Sequence, residues 1–107
     1  MHTTKSRLPT HRPPIHPGEI LLEEFIKPHG LTVTETARRL GFERVRLSEI
    51  VNGRRGVTPN TALRLERLFG PSPAFWLGLQ QDYDLWRELD SGVVDELERI
   101  EPLHRAA

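Results

Sequence analysis

Residues 32–51 read TVTETARRLGFERVRLSEIV, a stretch that divides into two short helices and a tight turn. Thr32-x-x-Glu35 forms a capping box, in which each side chain satisfies the other's exposed backbone N–H and so starts a helix. Val33, Ala37 and Leu40 share the inward face of that helix. Gly41 ends it, because a tight reversal needs a positive φ that glycine adopts without steric cost. A second helix runs from about Arg44 to Val51. Leu47, Ile50 and Val51 face inward; Arg44, Val45, Arg46, Ser48 and Glu49 are left at its start or on its outer side. Asn52-Gly53 supplies its stop. Helices that cross near a right angle through so short a turn need a small residue at the contact, and Ala37 provides it.

The same periodicity continues outward from this unit. Upstream, Pro17 suits a first helical turn, Glu19 lies where the helix dipole favours negative charge, and Leu21, Leu22, Phe25 and Ile26 fall at helical spacing. Pro28 and Gly30 end that helix. Downstream, Thr58-Pro59 opens a helix with Ala62, Leu65, Leu68 and Phe69 on its core face and Gly70 at its end. Ser72-Pro73 repeats the opening for a helix carrying Phe75, Trp76, Leu79, Tyr83, Trp86 and Leu89, and a short helix from about Val93 to Arg99 follows. No alternating strand pattern is present. The expected fold is all-α, with five to six helices. Residues 1–16, rich in Pro, Thr, His and basic side chains, read as a flexible basic arm. Residues 17–70 form the core unit, and residues 71–107 are a C-terminal helical extension of the same domain.

The composition sets bounds on function. A chain of 107 residues accommodates one domain and one modest core. Cysteine is absent, which excludes disulfide scaffolds and thiolate metal sites and fits a reducing cytosol. No apolar run approaches the ~20 residues of a membrane span, and MHTTKSRLPTHRPPIHP lacks the apolar stretch of a secretory signal. The expected location is therefore the cytoplasm, on the nucleoid when bound to DNA. Fifteen basic and fifteen acidic residues cancel overall, but they are segregated. Residues 32–56 carry six arginines against three acids, whereas residues 58–107 carry five basic and nine acidic side chains. A basic segment on a compact helical unit fits a phosphate footprint, or it is a solvated helix face.

Catalysis finds no support. The five histidines (2, 11, 16, 29 and 104) form no metal-ligand pair, there is no phosphate-cradling glycine loop, and the adjacent Glu23 and Glu24 do not share one helix face. No catalytic residue, metal or cofactor is expected. The Ala-x-x-x-Gly spacing by itself also occurs in helical hairpins that bind nothing. The outward arginines and the Asn52-Gly53-Arg54-Arg55 loop tip the reading toward DNA.

Residues 32–51 resemble the helix-turn-helix of the Xre/Cro-like repressors, which implies a lambda-repressor-like domain. In that family the outer residues at the start of the second helix enter the major groove; here these are Arg44, Val45, Arg46 and Glu49, with Ser48 beside them. Arg pairs bidentately with guanine, Val touches a thymine methyl and Glu accepts from cytosine. The resemblance places Thr32, Thr34, Asn52, Gly53, Arg54 and Arg55 on DNA phosphates. A narrower resemblance covers residues 16–101. HPGEILLEEFIKPHGLT, VNGRRGVTPNTALRLERLFG and the tryptophan-bearing SPAFWLGLQQDYDLW look like the HigA-type, or VapI-like, antitoxins. That resemblance implies a dimer that represses its own operon and neutralises a small RelE-like (HigB-type) ribonuclease toxin. The acids Asp82, Asp84, Glu88, Asp90, Asp95, Glu96, Glu98 and Glu101 would complement a basic toxin, or form a solvated face.

Trp76, Leu79, Tyr83 and Trp86 make a stripe that is either core or a two-fold dimer interface. The division expected is Phe75 and Leu79 mainly in the core, and Tyr83 and Trp86 nearer a dimer seam that also includes Trp76. Such a dimer sets two recognition helices about 34–36 Å apart on palindromic DNA. The alternative is a solitary Xre-type regulator with the same DNA chemistry and no toxin.

Overall fold

Four helices begin on a side chain that accepts the hydrogen bond their first turn leaves open. A computed structural model describes residues 14–103, and among them the chain forms helices and no strand. Helix α1 (Pro17–Ile20) opens on His16, whose Nδ1 accepts from the Gly18 N–H at 2.8 Å, and it runs directly into a π-helical segment, Leu21–Ile26. Helices α2 (Val33–Leu40) and α3 (Arg44–Val51) follow. Helices α4 (Pro59–Phe69) and α5 (Pro73–Asp90) open on Thr58 and Ser72, each with Pro at the first position, where a missing N–H leaves no bond unmade. The short α6 (Val93–Leu97) comes after a left-handed turn at Gly92. The expected capping box at α2 is half formed. Thr32 Oγ1 accepts from the Glu35 N–H at 3.0 Å, but the Glu35 carboxylate turns to Arg38 and Arg39, which its helix places within reach at i+3 and i+4.

The π-helical segment is a second departure from the α-helical spacing read in the sequence. The Lys27 N–H donates to the Leu22 carbonyl and the Leu31 N–H to the Ile26 carbonyl, both at 3.0 Å. This i→i+5 pattern widens the turn and lets Leu21 and Ile26, five residues apart, both be fully buried. They join Ala37, Leu40, Phe42, Leu47, Ile50, Val51, Val57, Ala62, Leu65 and Trp76 in one core.

Trp76 closes that core from α5, with its ring 5.2 Å from Phe25 of the π-helical segment and 0% of its surface exposed. Its assignment to a dimer seam is therefore corrected: a side chain fully enclosed by its own chain has no surface left for a partner. Phe75 is corrected in the opposite sense. It is 41% exposed and packs edge-on against Trp76 from outside. The stripe is rotated by one residue from the expected division, so Trp76 rather than Phe75 points inward.

The residues read as an arm lie mostly outside the described region. At its C-terminal end, however, His16 is 9% exposed and caps α1, so the ordered body begins before Pro17.

Helix α1 lies directly on the C-terminal end of α3. A Cβ added to Gly18 would fall 1.7 Å from the Ile50 carbonyl oxygen and 2.6 Å from its carbon, so only glycine permits the approach. Gly18→Ala must push α1 off α3, and overpacking of this kind costs about 1–3 kcal/mol. The expected result is a lower urea midpoint at unchanged slope. A midpoint equal to the wild type would show that α1 does not rest on the Ile50 backbone.

Candidate nucleic-acid interface

The turn between α2 and α3 is closed by two backbone bonds. Gly41, at φ 78°, donates to Arg38 O at 3.2 Å, and Phe42 N donates to Ala37 O at 2.8 Å. This is a Schellman stop, and it drives Phe42 into the core at 7% exposure. The same pairing closes α3: Gly53 N donates to Ile50 O and Arg54 N to Glu49 O, with Gly53 at φ 77°. A short helix is thereby fixed at both ends, with Leu47, Ile50 and Val51 buried beneath it.

On the outer side of α3, Arg44 Nε donates to Thr34 Oγ1 at 2.8 Å, tying the start of α3 to the start of α2. Val45 beside it is 63% exposed. Glu49 pairs with Arg55, whose Nε and Nη2 reach one carboxylate oxygen at 2.9 and 2.8 Å. Asn52 Nδ2 donates to the Ser48 carbonyl at 2.8 Å and approaches its hydroxyl at 3.4 Å, so both are tethered at the end of the helix. Thr32 and Arg54 are exposed on either flank.

The structure thus brings Thr32, Thr34, Arg44, Val45, Ser48, Glu49, Asn52, Gly53, Arg54 and Arg55 onto α3 and its two flanks. Arg46 stands apart. Its guanidinium carbon lies 3.9 Å from the Phe42 ring centroid and its Nη2 is 3.4 Å from Thr61 Oγ1, so it faces the protein body rather than outward. The Phe42 ring offers the π face that holds it there.

Several residues that position this surface were missed by the sequence reading. Arg64 of α4 donates from Nη1 to the Leu40 carbonyl at 2.7 Å and so caps α2. Gln80 of α5 accepts from the Val57 N–H at 2.7 Å, and its amide lies 3.0 Å from where a Gly56 Cβ would stand, which pins the loop after α3 to α5. Thr36 is fully buried, with its hydroxyl on Thr32 O. These contacts span 23 or 24 residues for Gln80 and Arg64, beyond the reach of any local pattern.

Residues 22–77 match the helix-turn-helix family profile. Virulence-associated protein I of Dichelobacter nodosus is 51% identical over 73 residues, covering 68% of each chain. Among solved structures, Pseudomonas aeruginosa antitoxin HigA with its higBA promoter superposes at TM-score 0.79 with 36% identity, over 85% of this chain and all but 1% of that one. This chain belongs to the HigA-type, Xre-like helix-turn-helix family.

Another member, antitoxin GraA in complex with its operator, aligns at TM-score 0.78 and 38% identity over 92% of this chain and 99% of that one. The HigA-type family is one of DNA-binding regulators and antitoxins rather than enzymes. No helix among the described residues is long and apolar enough to cross a membrane, and no group of acidic or histidine side chains among them would hold a metal ion.

His16 joins three parts of this member's body. It caps α1, its ring meets Tyr83 of α5 edge-on at 4.8 Å, and it lies beneath Gly53 of the loop after α3. Burial pushes its pKa below the ordinary 6.5, with Arg87 acting in the same direction and Asp84 and Glu19 opposing. The folded ring is therefore less willing to take a proton than the unfolded one. Its contribution to stability is complete above about pH 6.5 and declines as the pH falls below that value. His16→Asn keeps a capping acceptor without the titration. Urea midpoints measured between pH 7.5 and 5.5 are expected to fall less in the variant than in the wild type; equal falls would exclude His16 as the source.

Proposed function

We propose that this protein is the antitoxin of a type II toxin–antitoxin module: it binds operator DNA as a homodimer, represses its own operon and neutralises a RelE-like ribonuclease toxin. The observation that carries the DNA reading is the outer edge of α3, where Arg44 is held by Thr34 beside an exposed Val45. Arg44, Val45, Ser48 and Glu49 read base edges in the major groove. Arg46 reaches them only by leaving the Phe42 ring, and in the free protein it helps to hold α3 against α4. Thr32, Thr34, Asn52, Gly53, Arg54 and Arg55 follow the phosphates on either side. That relatives of the same fold are antitoxins, with operator or promoter DNA bound, supports the same role here.

The dimer uses the distal half of α5. Tyr83 and Trp86 line an open groove of about 530 Å³ with Ile15 and Val51, and Leu85 and Leu89 are 43% and 44% exposed. Apolar side chains at this density on one helix favour a second copy.

A salt series against the protein's own upstream DNA, with an unrelated duplex as control, tests the repressor reading. The expected result is two protomers per operator, a preference for the upstream DNA, and an affinity that falls steeply with salt. Arg44→Ala is expected to cost about 1–3 kcal/mol of operator affinity and to relax the choice of one base pair per half-site. Equal binding to both duplexes at every salt concentration would remove the repressor role. The toxin is tested by co-expression with the short basic reading frame next to the gene: the pair is expected to co-purify and RNA cleavage to stop. A neighbourhood without such a frame would leave the solitary regulator.

A further inference from the structure

We propose that the cleft between the loop after α3 and the middle of α5 takes a phosphodiester of the DNA backbone, which makes Arg87 of α5 part of the DNA footprint. The inference rests on the operator-binding reading and extends it beyond the helix-turn-helix itself. The cleft is about 250 Å³, and Arg54, Arg55 and Gly56 of the loop and Gln80, Asp84 and Arg87 of α5 contribute to its lining.

Three features suit it to a phosphodiester. The first is charge. Arg54, Arg55 and Arg87 supply three positive charges, while Asp84 in the cleft and Glu49 on Arg55 supply two negative ones. One positive charge is left over, matching the single negative charge of a backbone phosphate; a phosphate monoester carries about 1.5 to 2. The second is unused donors. Among the described residues neither Arg54 nor Arg87 pairs with a carboxylate, and the successive amides of Arg55 and Gly56 donate to no other group. The third is rigidity. Gln80 holds the Val57 amide at 2.7 Å, so the loop wall is set before a ligand arrives, and the Arg87 guanidinium stands on the other side, 5.8 Å over the Tyr83 ring. The position argues for DNA as the source. The loop leaves the C-terminal end of α3 directly, and its Asn52, Gly53, Arg54 and Arg55 are the residues the operator reading already places on phosphates.

The experiment replaces single operator phosphates with neutral methylphosphonates. It compares the full-length wild type with Arg87→Gln and Arg87→Lys. Arg87 is exposed on α5, so neither change disturbs the core. One phosphate per half-site is expected at which the replacement weakens the wild type and R87K but leaves R87Q unaffected. R87Q is also expected to lose affinity for operator and unrelated duplex alike, with the salt slope reduced by about 0.9 for each protomer engaged. Superimposable methylphosphonate profiles for wild type and R87Q, or an unchanged slope in R87Q while the wild type still prefers its operator, would overturn the site and leave the repressor reading standing. Inorganic phosphate that binds the wild type tightly, and binds it equally well when operator is present, would overturn DNA as the occupant. A wild type without operator preference would remove the repressor reading and this site together.

Discussion

The contact of α1 with the Ile50 carbonyl governs how α3 is presented. A helix of eight residues is far below the length that holds itself together in water, so its geometry is imposed by what surrounds it. Gly18 lets α1 approach the backbone of its last turn, and Leu47 and Ile50 are fully buried beneath it. Two glycine stops fix its ends, and Arg46 with Thr61 ties its first turn to α4. One face of α3 is left uncovered because each other approach is already occupied. The same support explains why Gln80 matters at a distance: it fixes the loop leaving α3 to α5.

The basic middle segment is less positive in space than in sequence. Of its six arginines, Arg38 and Arg39 share Glu35, and hydrogen bonds from both hold that carboxyl below its usual range. Arg55 is taken by Glu49, and Arg46 lies on Phe42. Arg44 and Arg54 remain without a carboxylate among the described residues. The exposed pairs are weak because solvent screens them, so phosphates can compete for Arg55 at little cost. The local field is thus centred on the two ends of α3 rather than spread along the segment.

What could be read from the sequence was local chemistry. Thr32, Thr58 and Ser72 announce helix starts because a capping side chain needs only the next three residues, and Gly41, Gly53 and Gly70 announce stops for the same reason. The outer residues of α3 were legible because helical spacing decides which face the core takes. The misreadings all required a distant partner. Glu35 was assigned to Thr32, but two arginines one turn away carry the opposite charge. Arg46 was placed outside because no pattern says that Phe42, two residues before the helix starts, turns inward to meet it. His16 was read with the arm because its neighbours are Pro-rich, while its burial comes from Tyr83, 67 positions further on. Trp76 and Phe75 exchanged roles because a one-residue rotation of α5 is set by where Phe25 lies, and that depends on the widened π-helical turn.

On the operator-binding function proposed above, the Thr34–Arg44 bond is what would give the uncovered face its selectivity. A carboxylate in place of Thr34 would hold Arg44 more tightly but would cancel the charge that draws it to DNA. A hydroxyl fixes the guanidinium while leaving its full positive charge, and it takes only one of five N–H donors. Four donors stay available in a plane already oriented by the start of α2, so little side-chain freedom remains to be lost when a guanine edge arrives. Val45 beside it adds an apolar surface that gains nothing from water. A cation held in place next to an exposed aliphatic group suits neighbouring base pairs, one read by its guanine acceptors and the other by its thymine methyl, and a generic basic patch reads neither.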